Sequence, residues 1–361
     1  MEVRLAGTGG GRGWPRPGCG CASCARARSA GRHRAPAQVL VDGVLRLGPG
    51  AASRPPAGYQ VGRLPGGWTV TGLDGARLLA ADGSRVTPEP PAGAGAYGIV
   101  LLDLLEDPAQ LGALRARGLV RAETVAAVLH ADHRVSSEEE LARRGRFWGV
   151  VVPRDGDVLT APSTSPFPPQ SRPPGLPDQP RRVLVLGGAR SGKSRHAELR
   201  LAAEPRVTYL AAGPYPPGAR PGDDPEWAER VAAHRSRRPP WWRTVESLDA
   251  ARTLRSESGA VLFDGAGTWL AAVMQEAGAW DSGGGQAAGQ IAAKVDELVG
   301  AWRQTRARVV AVSDEVGSSV HPPTRAGRLF RDQLGWLNQR LAADSEETVL
   351  MVAGRALTLP T

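Results

Sequence analysis

Short apolar runs of strand length, divided by glycine turns and helix-compatible stretches, organise this chain. The sharpest is Val183-Leu184-Val185-Leu186, closed by Gly187, with a helix-compatible run from Ser194 to Ala203 after it. Similar runs recur at Arg206–Ala211, Val261–Phe263 and Arg308–Val312. Each ends in small or polar groups: A-G-P, Asp264 in V-L-F-D-G, and S-D-E-V-G with Glu315. Asp223-Asp224-Pro225-Glu226 reads as a helix start, with a capping acid, proline in the first turn and an acid on the dipole. An amphipathic stretch, Arg325 to Ala343, precedes a hairpin-like pair in V-L-M-V-A-G-R-A-L-T-L. Strands alternating with helices, with polar groups at the strand ends, predict an α/β fold with a P-loop NTPase-type parallel sheet.

The first third reads differently. Glu2 to Ala6 predicts a strand running into the glycine turn G-T-G-G-G-R-G, and two short hairpin-like segments lie between Leu47 and Tyr97. Ile99 to Leu105 is an apolar run of strand length, and Val120 to Leu129 alternates toward His130. Ser136-Ser137-Glu138-Glu139-Glu140 predicts a helix start, with serine as cap and acids in the first turn. From Pro153 to Pro180 proline, serine and glycine dominate, too poor in apolar groups to pack. The expected organisation is a first domain over 1–160, a Pro-rich linker over 161–180 and a P-loop domain over 181–361.

Composition changes this picture in three ways. At 361 residues the chain can bury two cores. With 45 basic and 36 acidic residues its formal charge is +9, which suits polyanions such as nucleotides, nucleic acid or an anionic surface. No run of about 18 apolar residues predicts a membrane span, and the N-terminus has no apolar signal core. The three cysteines lie between Cys19 and Cys24, an odd, clustered set that does not form a disulfide framework. A cytoplasmic protein is expected. A nucleic-acid-binding regulator with a zinc module and an NTPase domain is the alternative class. Against it, the aromatics do not interleave with a basic stripe, so no nucleic-acid partner is expected.

The chemistry concentrates in three places. From Gly187 the chain reads G-G-A-R-S-G-K-S and fits G-x-x-x-x-G-K-[ST], the loop whose backbone N–H groups cradle phosphates at a helix N-terminus. Lys193 would reach the outer phosphates, and Ser194 and Asp264 would hold Mg²⁺. His234 stands among Arg235, Arg237 and Arg238; their charge would disfavour imidazolium and leave a neutral nucleophile, and a solvated basic helix end with an incidental histidine is the alternative. Cys19, Cys21 and Cys24 form a C-x-C-x-x-C, three corners of a zinc tetrahedron, with His130 and His133 as candidates for the fourth. Three unliganded thiols are the alternative.

Two resemblances follow from these residues. L-A-G-T-G-G-G-R-G-W-P-R-P-G-C-G-C-A-S-C-A-R-A-R and R-A-P-A-Q-V-L-V-D-G resemble the start of metallo-β-lactamase-fold phosphodiesterases of the phosphonate-degradation type. The resemblance implies a structural zinc on Cys19, Cys21, Cys24 and His133, with His130 matching a catalytic-metal ligand. The family's H-x-H-x-D-H is absent and the segment is short, so a degenerate domain with Asp82 as a remnant acid is expected. G-G-A-R-S-G-K-S-R-H-A-E, R-V-x-x-H-R-x-x-R-P-x-x-W-R-T-V-E, S-D-E-V-G and F-R-D-x-x-G-x-x-N-Q-R-L-A resemble the bifunctional adenosylcobinamide kinase/adenosylcobinamide-phosphate guanylyltransferases. This second resemblance implies phosphorylation of adenosylcobinamide by ATP or GTP. It also implies GMP transfer from GTP through a guanylyl-histidine on His234, and a trimer. Nucleotide contacts are implied at Gly187, Gly188, Ala189, Arg190, Ser191, Gly192, Lys193 and Ser194. Others are implied at Ala212, Gly213, Pro214, Arg235, Ser236, Arg237, Arg238, Glu246 and Asp264. Two departures stand out: Asp264 is followed by G-A-G and not C-x-T, and A-G-P replaces a polar strand end.

Overall fold

The computed structural model describes residues 1–48, 55–162, 179–212, 229, 232, 235–280, 285–318 and 321–360. Gly213, Pro214, Asp223–Glu226, His234 and most of the expected linker lie outside the described residues. The chain divides into two compact units, Met1–Gln179 with Ala202–Pro205, and Pro180–Leu201 with Arg206–Thr361.

The first unit runs β1 (Glu2–Gly7), α1 (Ala22–Ser29), β2 (Gln38–Val41), β3 (Leu45–Leu47), β4 (Gln60–Leu64), β5 (Gly67–Thr71), β6 (Arg77–Ala81), β7 (Ile99–Leu102), α2 (Ala109–Ala116), β8 (Val125–Val128), α3 (Glu138–Trp148) and β9 (Val158–Thr160). Four strands pair in the order β3-β2-β1-β9 and five in the order β4-β5-β6-β7-β8. The strict in-out alternation of β1 gives one sheet a single apolar face. Val3, Leu5, Val39 and Val41 of that sheet share a buried cluster with Val70, Leu78, Ile99 and Leu101 of the other. The two sheets therefore bury each other. The alternation expected over Val120 to Leu129 yields a strand only at Val125–Val128, because Leu119 and Val120 close the end of α2 through amides bonded to the Leu114 carbonyl. Helix α3 is capped by the Ser137 side chain on the Glu140 amide and ends at Gly149 with φ 62°.

One buried ion pair fixes this unit. The Arg34 guanidinium donates to both oxygens of Glu138 at 2.6 and 2.7 Å, to Thr8 Oγ1 at 2.8 Å and to the Pro153 carbonyl at 2.6 Å. Its side chain is 5% exposed, so it joins the glycine turn, α3 and the stretch before β9 away from water.

The second unit runs β10 (Arg182–Gly187), α4 (Lys193–Leu201), β11 (Val207–Ala211), β12 (Arg243–Glu246), α5 (Ala250–Ser256), β13 (Ala260–Asp264), α6 (Ala266–Glu276), α7 (Gly285–Gln304), β14 (Arg308–Asp314), α8 (Arg325–Ala343), β15 (Glu347–Val352) and β16 (Arg355–Leu359). Its seven strands pair in the order β12-β11-β13-β14-β10-β15-β16, all parallel except the final hairpin partner β16. The apolar runs of β10, β13 and β14 suit strands covered on both faces. Leu184, Leu186, Phe263 and Ala311 face one cluster with Trp269, Leu298, Trp302 and Leu337 of α6, α7 and α8. Val183, Val185, Leu262 and Val312 face the other, with Ala197 and Leu201 of α4.

Replacing Arg34 with alanine should destabilise the protein by about 3–5 kcal/mol, because Glu138 and the Pro153 carbonyl lose a buried partner. Urea unfolding followed by circular dichroism measures this loss, and an unchanged midpoint would contradict it.

Candidate active site

Parallel register brings the carboxyl ends of the strands to one rim. Glu246 of β12 pairs with Ala211 of β11, Ala211 with Asp264 of β13, and Asp264 with Val312 of β14. Asp314, two residues beyond Val312, pairs with Gly187 of β10. The loop Gly187–Ser194 rises from that rim into α4, whose free N–H groups and dipole favour an anion there. Arg190 and Gly192 take φ of 56° and 95°, left-handed values that turn the amides of such a loop toward a common concavity. A Cβ on Gly187 would collide with the Ser191 hydroxyl and stand 2.8 Å from the Met351 carbonyl. The first glycine is therefore required by packing as well as by the turn.

Lys193 Nζ lies 2.8 Å from Asp314 Oδ1 and donates to the Gly188 carbonyl at 3.2 Å. Ser194 Oγ donates to Asp264 Oδ1 at 3.2 Å. The loop lysine, the loop serine and two strand-end carboxylates thus meet at one place. Asp314 was missed in the sequence, where Glu315 seemed the rim acid. Glu315 instead accepts from the Gly317 and Ser318 amides at 2.7 and 3.2 Å. The strand runs two residues past its apolar run, to Asp314, so the aspartate and not Glu315 is its last residue. Asn338 of α8 holds that end in place: its amide donates to the Asp314 carbonyl at 3.0 Å, and its carbonyl accepts from Ser313 Oγ at 2.6 Å. The G-A-G departure after Asp264 also has a cause. Gly265 takes φ 112°, and a Cβ on Gly267 would stand 3.1 Å from Asp314 Oδ2.

Tyr209 was also missed. Its hydroxyl donates to Asp264 Oδ2 at 2.7 Å, and the Arg238 guanidinium carbon stands 3.6 Å from its ring centroid. Burial first, then the Asp264 charge, push the phenol pKa well above its usual value. Beside it, Arg237 donates to both oxygens of Glu198 on α4 at 3.0 and 3.1 Å; that hydrogen-bonded pairing raises the guanidinium pKa further. Arg235 reaches Glu246 at 3.3 Å, Ser236 is exposed and Ala212 is fully buried at the end of β11. The arginine run beside His234 is therefore tied to the P-loop helix and to the rim.

The cysteines assemble as a second site in the first unit. Cys19, Cys21 and Cys24 Sγ lie 3.3, 3.6 and 3.7 Å from His133 Nδ1, and the four ligand atoms lie within 4.8 Å of one another. Zinc bonds of about 2.3 Å to sulfur and about 2.0 Å to nitrogen imply tetrahedral edges of roughly 3.6–3.8 Å. The donor set fits such an ion. Among the described residues this is the one group of three or more cysteine, histidine and acidic side chains able to hold a metal. His130 is turned elsewhere, with Nε2 3.0 Å from the Ala81 carbonyl and Nδ1 buried against Gly83. Asp82 pairs with Arg63 at 2.6 Å.

The Cys24 amide, with help from the neighbouring thiols and His133, lowers the Cys21 pKa to about 6, while burial raises that of Cys24 to about 11. In chelator-treated protein, Cys21 alkylation by iodoacetamide should therefore rise with pH to half its maximum near pH 6. Cys24 should stay unreactive at neutral pH; mass spectrometry of digests resolves the two, and equal pH profiles would contradict the arrangement.

A parallel sheet, a glycine loop running into a helix, a loop lysine and strand-end acids define a P-loop nucleotide-binding domain. The sequence model of the family described as "Cobinamide kinase / cobinamide phosphate guanyltransferase" matches residues 183–359. The chain is 36% identical over 182 residues to the bifunctional adenosylcobalamin biosynthesis protein CobU of Salmonella typhimurium, covering 48% of this chain and 96% of that one. It is 36% identical over 182 residues to CobU of Escherichia coli, again over 48% of this chain and 96% of the relative. It is 40% identical over 184 residues to the bifunctional adenosylcobalamin biosynthesis protein CobP of Pseudomonas aeruginosa, over 49% of this chain and 96% of the relative. Through its second half, this chain belongs to the cobinamide kinase/cobinamide phosphate guanyltransferase family. None of the helices among the described residues is long and apolar enough to cross a membrane.

Proposed function

We propose that the second unit phosphorylates adenosylcobinamide with ATP or GTP and then transfers GMP from GTP to the product. The observation that carries this reading is the convergence of Lys193, Ser194 and Asp264 on the phosphate loop, together with family membership. In the kinase step the substrate hydroxyl oxygen attacks the γ-phosphorus, and the β–γ bridging bond breaks to release the nucleoside diphosphate. Lys193 exchanges Asp314 for the β- and γ-phosphate oxygens and offsets the charge that develops on them. Ser194 and Asp264 are the residues that would hold Mg²⁺, which neutralises phosphate charge when bound.

In the second step a ring nitrogen of His234 attacks the α-phosphorus of GTP and pyrophosphate leaves. The phosphate oxygen of adenosylcobinamide phosphate then displaces the histidine, giving adenosylcobinamide-GDP. Arg235, Arg237 and Arg238 follow His234 in the chain, and theirs are the guanidinium groups that would offset phosphate charge during attack. The substrates imply a cytoplasmic setting, and the expected boundaries of 1–160, 161–180 and 181–361 are retained as the proposed domain organisation.

With GTP labelled at the α-phosphate, the protein should acquire acid-labile, base-stable label. His234→Ala should abolish the label and spare kinase turnover, whereas Lys193→Ala should lose about 10²–10³-fold in both steps, as when a key electrostatic donor is removed. Label on His234→Ala, or normal turnover by folded Lys193→Ala, would overturn the assignment.

For the first unit we propose a degenerate metallo-β-lactamase-like domain with one structural zinc on Cys19, Cys21, Cys24 and His133. The close grouping of four side chains drawn from α1, the turn leading into it and the loop before α3 supports it. Purified protein should carry near-stoichiometric zinc, Cys21→Ser should lose it, and phosphodiesters should not be hydrolysed. Two zinc ions per chain, or metal-free protein of full stability, would contradict this reading.

A further inference from the structure

Asp264 is held from two sides by two different side chains. Its Oδ1 accepts from the Ser194 hydroxyl at 3.2 Å, and its Oδ2 accepts from the Tyr209 hydroxyl at 2.7 Å. An ionised carboxylate is an acceptor only, so the phenol must donate. Such a charge-assisted bond is short and directional. Tyr209 sits on β11, the strand beside β13, and is 7% exposed. The register explains the reach: Tyr209 pairs with Leu262, two residues before Asp264, on the same face of neighbouring strands. Its ring is fixed in turn by Arg238, whose guanidinium carbon lies 3.6 Å from the ring centroid.

We propose that Tyr209 is a positioning residue for the metal-binding carboxylate, its hydroxyl setting the rotation of Asp264 so that Oδ1 faces Ser194. This inference rests on the reading of Ser194 and Asp264 as Mg²⁺ ligands. A carboxylate with both oxygens free rotates about its Cβ–Cγ bond and meets a cation in many orientations. With Oδ2 occupied by the phenol, the remaining oxygen is directed to the loop serine. Because Arg238 belongs to the arginine run beside His234, the same tyrosine ties the metal-binding corner to the segment that carries the proposed nucleophile. The ring–guanidinium contact belongs to the aromatic face and the carboxylate contact to the hydroxyl, so the two roles separate chemically.

Tyr209→Phe removes one oxygen and keeps the ring under Arg238. The test is equilibrium binding of a non-hydrolysable GTP analogue to the full chain, with Mg²⁺ titrated from zero, alongside thermal unfolding. For the wild type, Mg²⁺ should tighten binding, and Asp264→Asn should remove most of that gain. For Tyr209→Phe, affinity without Mg²⁺ should stay within about twofold, while the Mg²⁺ concentration for half the gain should rise roughly tenfold, the scale of one hydrogen bond to a charged group. A purely structural role would lower the melting temperature and weaken binding equally with and without Mg²⁺. An unchanged Mg²⁺ requirement in Tyr209→Phe, with the Asp264→Asn effect intact, overturns the inference and leaves the metal reading standing. No Mg²⁺ gain in the wild type, or a full gain in Asp264→Asn, overturns the metal reading itself.

Discussion

A parallel strand offers no freedom in where its carboxyl end comes to rest once its neighbour's register is set. That constraint governs the second unit. Gly187 is bonded in register with Asp314 on one side and Met351 on the other, so the loop that follows it starts between an acid and the backbone of β15. From there the ladder carries the rim outward through Asp264 and Ala211 to Glu246. The charged groups of the site come from chain positions far apart. The acids meet because each is the last residue of a strand that packing and register hold in place, and Lys193 joins them from the loop after Gly187.

Packing alone would leave those ends to fray, and buried polar contacts prevent it. Asn338 spans Ser313 and the Asp314 carbonyl from within α8, and the Glu315 amide donates to the Gly187 carbonyl at 3.1 Å. Gly354, in the turn between β15 and β16, donates its amide to Ser191 at 2.9 Å. The loop is thus bound from the strand before it, the strand beside it and the terminal hairpin. Pre-organisation of this sort matters for a phosphate site, because donors already in place cost little reorganisation when charge develops. The Lys193–Asp314 pair fits the same logic: the ammonium already has a counter-charge and a carbonyl in place.

Much of this was legible in the chain. The phosphate loop, the strand-end Asp264 and the Arg325–Ala343 helix follow from local pattern, because each is spelled within one element. Strand β12 and helices α5, α6 and α7 escaped the apolar-run reading. Arg243–Glu246 contains one apolar residue, since it is an edge strand with exposed flanks. Helices α6 and α7 carry many alanines and glycines among their larger apolar residues, which blurs the buried stripe of Trp269, Leu270, Ile291, Leu298 and Trp302. Tyr209 and Asp314 were hidden for a different reason. Their importance depends on which strand lies beside which, and the order β11-β13-β14-β10 is not written in any single segment.

The first unit neutralises an acid cluster with an arginine from the same loop that presents His133 to the cysteines. In the loop that presents His133, Arg134 donates to both oxygens of Asp103 at 3.0 and 2.9 Å, to Glu106 at 2.9 Å and to Asp132 at 2.8 Å. Its guanidinium also donates to the His130 carbonyl at 3.0 Å, closing the loop on itself. Three carboxylates gathered this closely repel one another unless a cation lies among them, and here the chain supplies that cation from its own sequence. The arrangement removes the electrostatic demand for a metal at the acids. At the cysteines no side-chain cation stands among the hydrogen-bond partners of the three thiols, which face the His133 imidazole instead. The two clusters of this unit thus differ in their partners: arginine stands among the acids, the cysteines face His133, and His130 and Asp82 are bonded to the Ala81 carbonyl and to Arg63.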